Sequence, residues 1–382
     1  MRPDCYKKVP LAFYAWTDTL ILNAVKVKVT YFLNYQADLF ILELPRISRS
    51  LVEQLKKQEI FQEVLWIKPP FDDMPACRRK FSKAFLIHQY RTCYFTQLQQ
   101  ISRNYGVLFA GALWSETIML FQYLRQYNPQ LVIYIIEEGT ANYCGIRAIT
   151  RCDPLNAWRD KVIRKTRYAG IYEKAVEAIS GMFLACPEGC LNKEGESIFP
   201  VSGHESLAFR RLISSCTAEL MLEEYHSRHV IFFLQPEYGL DWENTLRLIQ
   251  AVVLAVGPKN IIIRPHPNSG NVIWQLNKIL PSEVYVETVQ FPFEYVLYTT
   301  GWQDKILISR GSSCLFYPRY ICGQEPVVIF TNRLYDDRKK RADAMPFLID
   351  RLKEIYKTSD DIFCPETIAD LKKYLKGKHF HD

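Results

Sequence analysis

Short apolar runs alternate with segments whose apolar residues recur at helical spacing, and the alternation persists from one end of the chain to the other. In the first half, Val9 to Trp16, Asp38 to Leu44, Glu63 to Ile67, Val107 to Ala110, Leu131 to Ile136 and Met182 to Cys186 read as strands. Helical periodicity fills Thr19 to Val29, Leu51 to Gln58, Arg79 to Tyr105 and Glu116 to Tyr127. A second series opens at Val230. It predicts strands at Val230 to Leu234, Asn260 to Arg264, Glu283 to Val286, Lys305 to Ser309 and Pro326 to Ile329, with helices at Trp242 to Val256, Pro292 to Tyr298, Leu315 to Ile321 and Ala344 to Tyr356.

This order of elements is the pattern of α/β proteins, with parallel sheets covered by helices on both faces. Between the two series lies "NKEGESIFPVSGHES", whose Gly, Ser and charge content reads as loop. The boundary therefore falls near residues 195 to 228, dividing the chain into Rossmann-like domains at 1-215 and 216-382. Two doubly wound domains facing one another make a cleft, and such sheets bind ligands beyond the carboxyl ends of their strands. No internal repeat or low-complexity tract interrupts the pattern.

Composition narrows the function classes. The 382 residues suffice for two cores, and a net charge of +7 is modest and spread along the chain. Basic stretches at Arg159 to Arg167 and Lys372 to Lys378 suit either a solvated helix face or contact with anionic lipid. No aromatic and basic platform for nucleic acid is present. The eleven cysteines are scattered rather than spaced as a disulfide framework, which fits a reducing cytoplasm. Cys186 and Cys190 form the one close pair, and without a second pair zinc is not expected. The opening residues lack a signal-peptide core, and no run approaches the roughly 18 apolar residues of a membrane span. A soluble or peripheral protein is expected.

Three stretches fall at predicted strand ends. In "IIIRPHPNSG", Pro265 and Pro267 fix φ on either side of His266 just beyond a strand, which suits an imidazole that meets a phosphate at a set distance. A satisfied structural histidine is the plain alternative. In "ILISRGSSCLFYP", Gly311 permits close backbone approach, while Ser312 and Ser313 offer a helix cap and a spare hydroxyl near unpaired N–H groups. In "LVIYIIEEGTANY", a strand ends in Glu137-Glu138-Gly139, and adjacent carboxylates favour one that accepts a proton near neutral pH. Solvated glutamates in a turn are the alternative there.

In this order the three stretches resemble the motifs of bacterial GT-B sialyltransferases of the lipooligosaccharide sialyltransferase and polysialyltransferase type. Those families carry an acidic-acidic-Gly motif, a His-Pro motif and a Ser-Ser/Thr motif, matched by Glu137-Glu138-Gly139, His266-Pro267 and Ser312-Ser313. "FPFEYV", with Phe291 and Glu294, looks like the helix start that follows the His-Pro segment in the lipooligosaccharide group. The resemblance implies an inverting sialyltransferase acting on CMP-sialic acid and a glycan acceptor of lipooligosaccharide or capsule, without metal or cofactor, at the inner face of a bacterial membrane. His266, Pro267, Arg264, Gly311, Ser312, Ser313, Phe291 and Glu294 would then surround the nucleotide, with a carboxylate of Glu137 or Glu138 as base. Relatives that are dimers make a homodimer an open expectation.

The acidic motif has glutamates where aspartate is common, so the base is open between them, with Glu138 favoured. "QPEYGLDWEN" supplies Glu237 and Asp241 as further candidates for base or nucleotide contact, against a reading of Asp241 as a helix cap. Thr17, Asp18, Gly111 and Trp114 lie at strand ends suited to an acceptor sugar. Capping by Asp18 and core packing by Trp114 are the simpler alternatives. The same fold also serves UDP-hexose or CMP-Kdo transferases, and a non-catalytic protein that holds an anionic glycan or nucleotide. The acceptor linkage, and the choice between single transfer and polymer, are not legible.

Overall fold

Both apolar series form all-parallel sheets. The computed structural model describes residues 9–69, 92–99, 101, 103–146, 169–193, 195, 197–218, 220, 222–236, 241–266, 272–288, 291–335 and 344–378. The chain divides into two units, Met1–Cys216 and Thr217–Asp382.

The first unit holds strands β1 (Leu11–Ala15), β2 (Ala37–Leu42), β3 (Glu63–Ile67), β4 (Val107–Ala110), β5 (Val132–Ile136), β6 (Ile179–Leu184) and β7 (Ile198–Pro200). Their order is β3-β2-β1-β4-β5-β6-β7. Every residue of β1, β2 and β4 is buried, as continuous apolar runs require when helices cover both faces. Helices α1 (Asp18–Tyr31), α2 (Arg49–Lys57), α3 (Ser115–Leu124), α4 (Ala169–Glu177) and α5 (Leu207–Thr217) accompany them. Helix α1 starts where the Thr17 hydroxyl accepts the Leu20 N–H at 3.2 Å. It ends where the Lys28 ammonium donates to the carbonyls of Phe32 and Leu33, each at 2.8 Å. Burial pulls the Lys28 pKa down to about 8.

The stretch read as a connecting loop contains edge strand β7, which pairs with β6. Three residues ending in proline are too few to show a period. One glycine makes room for this edge, and another lets the segment after it approach α1. A Cβ on Gly181 would sit 2.6 Å from the Ser197 carbonyl oxygen, and one on Gly203 would sit 2.3 Å from Thr30 Oγ1. Gly203 also has φ +102°, a conformation that side chains resist.

The second unit holds β8 (Val230–Phe233), β9 (Ile261–Arg264), β10 (Tyr285–Val286), β11 (Ile306–Ser309), β12 (Val327–Phe330) and β13 (Ile362–Phe363), ordered β10-β9-β8-β11-β12-β13. Its helices are α6 (Glu223–Ser227), α7 (Trp242–Val256), α8 (Val272–Ile279), α9 (Phe293–Thr299), α10 (Tyr317–Cys322), α11 (Met345–Ile355) and α12 (Ile368–Lys376). In both sheets the first three strands run outward and the chain then crosses back, so the order reverses at β1/β4 and at β8/β11. These are the points where doubly wound sheets take ligands.

Arg264, at the end of β9, pairs with Glu287 at 2.5 Å, and both are buried. The guanidinium also donates to the Tyr225 hydroxyl at 2.6 Å and to the Phe291 carbonyl, while Tyr225 donates to the other Glu287 oxygen at 2.8 Å. Burial pushes the Glu287 carboxyl above its ordinary range, and Arg264 and Tyr225 pull it back. Replacing either partner strands the other charge. Glu287→Leu is expected to cost about 3 to 5 kcal/mol in urea unfolding. Gly203→Ala, which forces a side chain into a left-handed residue beside Thr30, is expected to cost about 2 kcal/mol in the same measurement.

Candidate functional site

Strand alternation sends the two glutamates at the end of β5 in different directions. Glu137 is 1% exposed. Its Oε2 accepts the Tyr143 hydroxyl at 2.8 Å and the Ala185 N–H at 2.6 Å, tying β5 to the segment after β6. Glu137, a candidate base from sequence, is thus taken up in holding the sheet together. Glu138 is half-buried, and its Oε1 accepts the Trp16 indole N–H at 2.5 Å.

That hydrogen bond crosses a strand. Trp16 follows β1, Glu138 follows β5, and β4 lies between them. With neighbouring strands about 4.8 Å apart, the side chains span two spacings. They do so over Gly111, just beyond β4, where a Cβ would lie 3.1 Å from Glu138 Oε2 and 3.1 Å from the Trp16 ring. The carboxylate is thereby carried from β5 to the reversal point of the first sheet.

The backbone at Glu138 is equally constrained. Asn142 Oδ1 accepts the N–H groups of Glu138 and Gly139 at 2.9 and 3.2 Å, and its amide nitrogen donates to the Gly111 carbonyl at 3.0 Å. Asn23 of α1 donates to the Glu137 carbonyl at 2.8 Å. Trp114 stacks on Trp16, with centroids 4.6 Å apart and planes at 27°, and remains partly exposed. Thr17, not Asp18, caps α1. The Asp18 carboxylate instead accepts the Ser48 N–H at 3.0 and 3.3 Å, so this side chain joins α1 to the start of α2.

In the second unit, the carboxyl ends of β9, β8 and β11 lie side by side. His266 follows β9 and buried Pro265, and is itself partly exposed. Gln235 follows β8. It donates to Ser309 Oγ at 3.2 Å, and that hydroxyl donates to the Phe233 carbonyl at 3.0 Å and accepts the Ser312 N–H at 3.4 Å. Ser312 Oγ accepts the Cys314 N–H at 3.3 Å and so caps the 3-10 turn Ser313–Leu315, while Ser313 stands in the turn's first position. Gly311 abuts Met345, whose Cε would be 3.0 Å from a Cβ. The Arg310 guanidinium lies 4.7 Å over the Tyr335 ring, and a small pocket lined by Gln235, Thr245, Arg310 and Tyr335 opens beside the reversal point.

Several candidates from sequence are engaged in structural contacts. Arg264 is held in the buried ion pair with Glu287. Phe291 gives it a carbonyl and covers it with its ring at 4.8 Å. Glu294 is 4% exposed in the first turn of α9, next to Cys314. Burial pushes the Cys314 thiol up to about 12, with Ser312 and Arg264 opposing the shift and Glu294 adding to it. Asp241 caps α7 by accepting the Asn244 N–H at 3.2 Å. Pro267, Glu237 and the basic stretch Arg159 to Arg167 lie outside the described residues. Among the described residues no group of three His, Cys, Asp or Glu side chains is arranged to hold a metal, and no helix is long and apolar enough to cross a membrane.

Trp16, Asn142, Gln235 and Ser309 escaped the sequence reading. Asn142 carried a signal, since an asparagine just past a Glu-Gly turn is suited to accept backbone N–H groups. A tryptophan or serine at the end of an apolar run carries none.

Solved structures share this fold at low identity. A UDP-N-acetylglucosamine 2-epimerase, itself assigned provisionally, from Listeria monocytogenes superposes with TM-score 0.55 at 9% identity, over 97% of this chain and 88% of that one. A UDP-glucosyltransferase from Polygonum tinctorium gives 0.53 at 12%, over 97% and 90%. The UDP-GlcNAc 2-epimerase of Neisseria meningitidis, bound to UDP-GlcNAc, gives 0.51 at 9%, over 96% and 90%. The fold is GT-B, with two doubly wound α/β units. No curated protein matches the chain in sequence. The sequence profile of the alpha-2,8-polysialyltransferases matches residues 40–331, well over half of the chain, and the protein belongs to the alpha-2,8-polysialyltransferase family.

Proposed function

We propose that this glycosyltransferase is an inverting sialyltransferase that uses CMP-sialic acid and extends a glycan ending in sialic acid, as the family's name describes for its members. The observation that carries the reading is the setting of His266 and the Ser312-Ser313 turn on the carboxyl ends of β9 and β11, the two neighbours of β8, within a chain of this family. A nucleotide bound there would place its phosphate against the imidazole and the serine hydroxyls.

Glu138 is assigned as general base. It takes the proton of the acceptor hydroxyl as that oxygen bonds to the anomeric carbon of the donor. The bond from that carbon to the CMP phosphate oxygen breaks, and both electrons leave with CMP. His266 donates to the departing phosphate, and the Ser312 and Ser313 hydroxyls spread its charge. Attack from the face opposite CMP inverts the carbon. In this scheme protein donors neutralise the leaving group, so no metal is required. The partly exposed Trp114 face is assigned to an acceptor sugar ring. Membrane-bound glycan would bring the enzyme to the inner face of a bacterial membrane.

A second donor class has one observation in its favour, since the solved structures with similar folds include proteins named for UDP-sugars. Donor hydrolysis without added metal separates the two: release of CMP from CMP-sialic acid, with no release of UDP from UDP-hexoses, is expected, and the reverse overturns the reading.

His266→Ala is expected to lower kcat by about 100-fold or more while the protein stays folded, measured as CMP release. Retention of near-parental kcat would remove His266 from the leaving-group step. Glu138→Gln keeps the side chain's size and is expected to bind CMP with unchanged affinity by calorimetry and to lose about 100-fold or more in transfer. A Glu137→Gln protein, by contrast, is expected to show its defect first in thermal stability, because Tyr143 and Ala185 lose a charged acceptor.

A further inference from the structure

Trp16 is wholly buried, and its ring packs against Trp114 and Tyr14. A phenylalanine would fill much of that space. The one polar atom of the indole is spent on Glu138 Oε1, at 2.5 Å. A buried indole N–H needs a partner, and here the partner is the proposed base itself.

Two further devices serve the same carboxylate. Gly111 leaves open the lane along which the Glu138 side chain crosses β4, since any Cβ there would stand 3.1 Å from Oε2. Asn142 fixes the backbone from which the side chain departs by accepting the N–H groups of both Glu138 and Gly139. A glutamate has several rotatable bonds and loses considerable freedom when held in one geometry. The indole and the Asn142 side chain oppose that freedom, and the indole acts on the carboxylate itself.

We propose that Trp16 is the positioning residue of the transfer reaction. Its N–H anchors Oε1, which directs Oε2, on the Gly111 side, to the acceptor hydroxyl. The Trp114 ring stacked on its face keeps the indole from turning away. This inference rests on the assignment of Glu138 as base.

The test uses the full-length protein with CMP-sialic acid and a sialylated acceptor. Trp16→Phe retains an aromatic ring and removes the N–H. It is expected to lower kcat about 10- to 100-fold, as a misplaced reacting group does, with the donor KM within about twofold and the melting temperature within a few degrees of the parent. Gly111→Ala presses on the carboxylate from the other side and is expected to lower kcat in the same direction, again without moving donor KM. Glu138→Gln serves as the reference. If it keeps its rate, the base assignment fails and the role of Trp16 fails with it. If Glu138→Gln is inactive while Trp16→Phe retains kcat within about twofold, or loses only KM, the base assignment stands and the positioning role is overturned. Should Trp16→Phe fail to fold, Gly111→Ala decides: a folded protein with parental kcat overturns the proposal.

Discussion

Burial of both faces of two parallel sheets governs where polar chemistry sits in this protein. The central strands β1, β4, β8 and β11 are buried along their whole length, so side chains that meet water or substrate must lie past strand ends. The amino ends are closed by polar clasps. Asp38 on β2 accepts Arg103 at 2.7 Å and the Tyr105 hydroxyl at 2.6 Å. Arg228, ahead of β8, donates to carbonyls at Lys259 and Glu283, and the Lys305 ammonium, ahead of β11, donates to those of His226 and Arg228. The carboxyl ends carry the glutamates, the histidine and the serine turn. Each sheet therefore has an amino end closed by ion pairs and hydrogen bonds and a carboxyl end on which the candidate residues lie.

The same constraint explains why adjacent, chemically identical side chains have different work. Glu137 points inward and joins two strands by accepting from Tyr143 and Ala185. Glu138, one residue on, clears the sheet and is held by an indole from two strands away. A polar group at a strand end is available for chemistry only when its neighbours do not consume it. Arg264 marks the limit of the rule, because it also sits at a carboxyl end but is covered by Tyr225, Glu287 and Phe291.

The central strands were legible because burial on both faces leaves an unbroken apolar run. Strands β7 and β13, with three and two residues, have no period to read, and they are defined by their neighbours in the sheet. Motif positions were legible as strand ends. The direction of each side chain was not, since it depends on partners distant in sequence. Nothing near Arg264 announces Glu287, and nothing near Glu138 announces Trp16. Asp18 shows the same limit on a smaller scale: the sequence shows an acidic residue at a helix start, but the hydroxyl one position earlier reaches the N–H first, leaving the carboxylate for Ser48.

Ser309 links the exits of two strands through a single oxygen that serves Phe233, Gln235 and Ser312 together. The loops after β8 and β11 are consequently one inherited character rather than two. A lineage that replaced Ser309 would take that oxygen from the Gln235 amide and the Ser312 N–H at once, so a change at residue 309 should be accompanied by one at residue 235, the side chain that meets it.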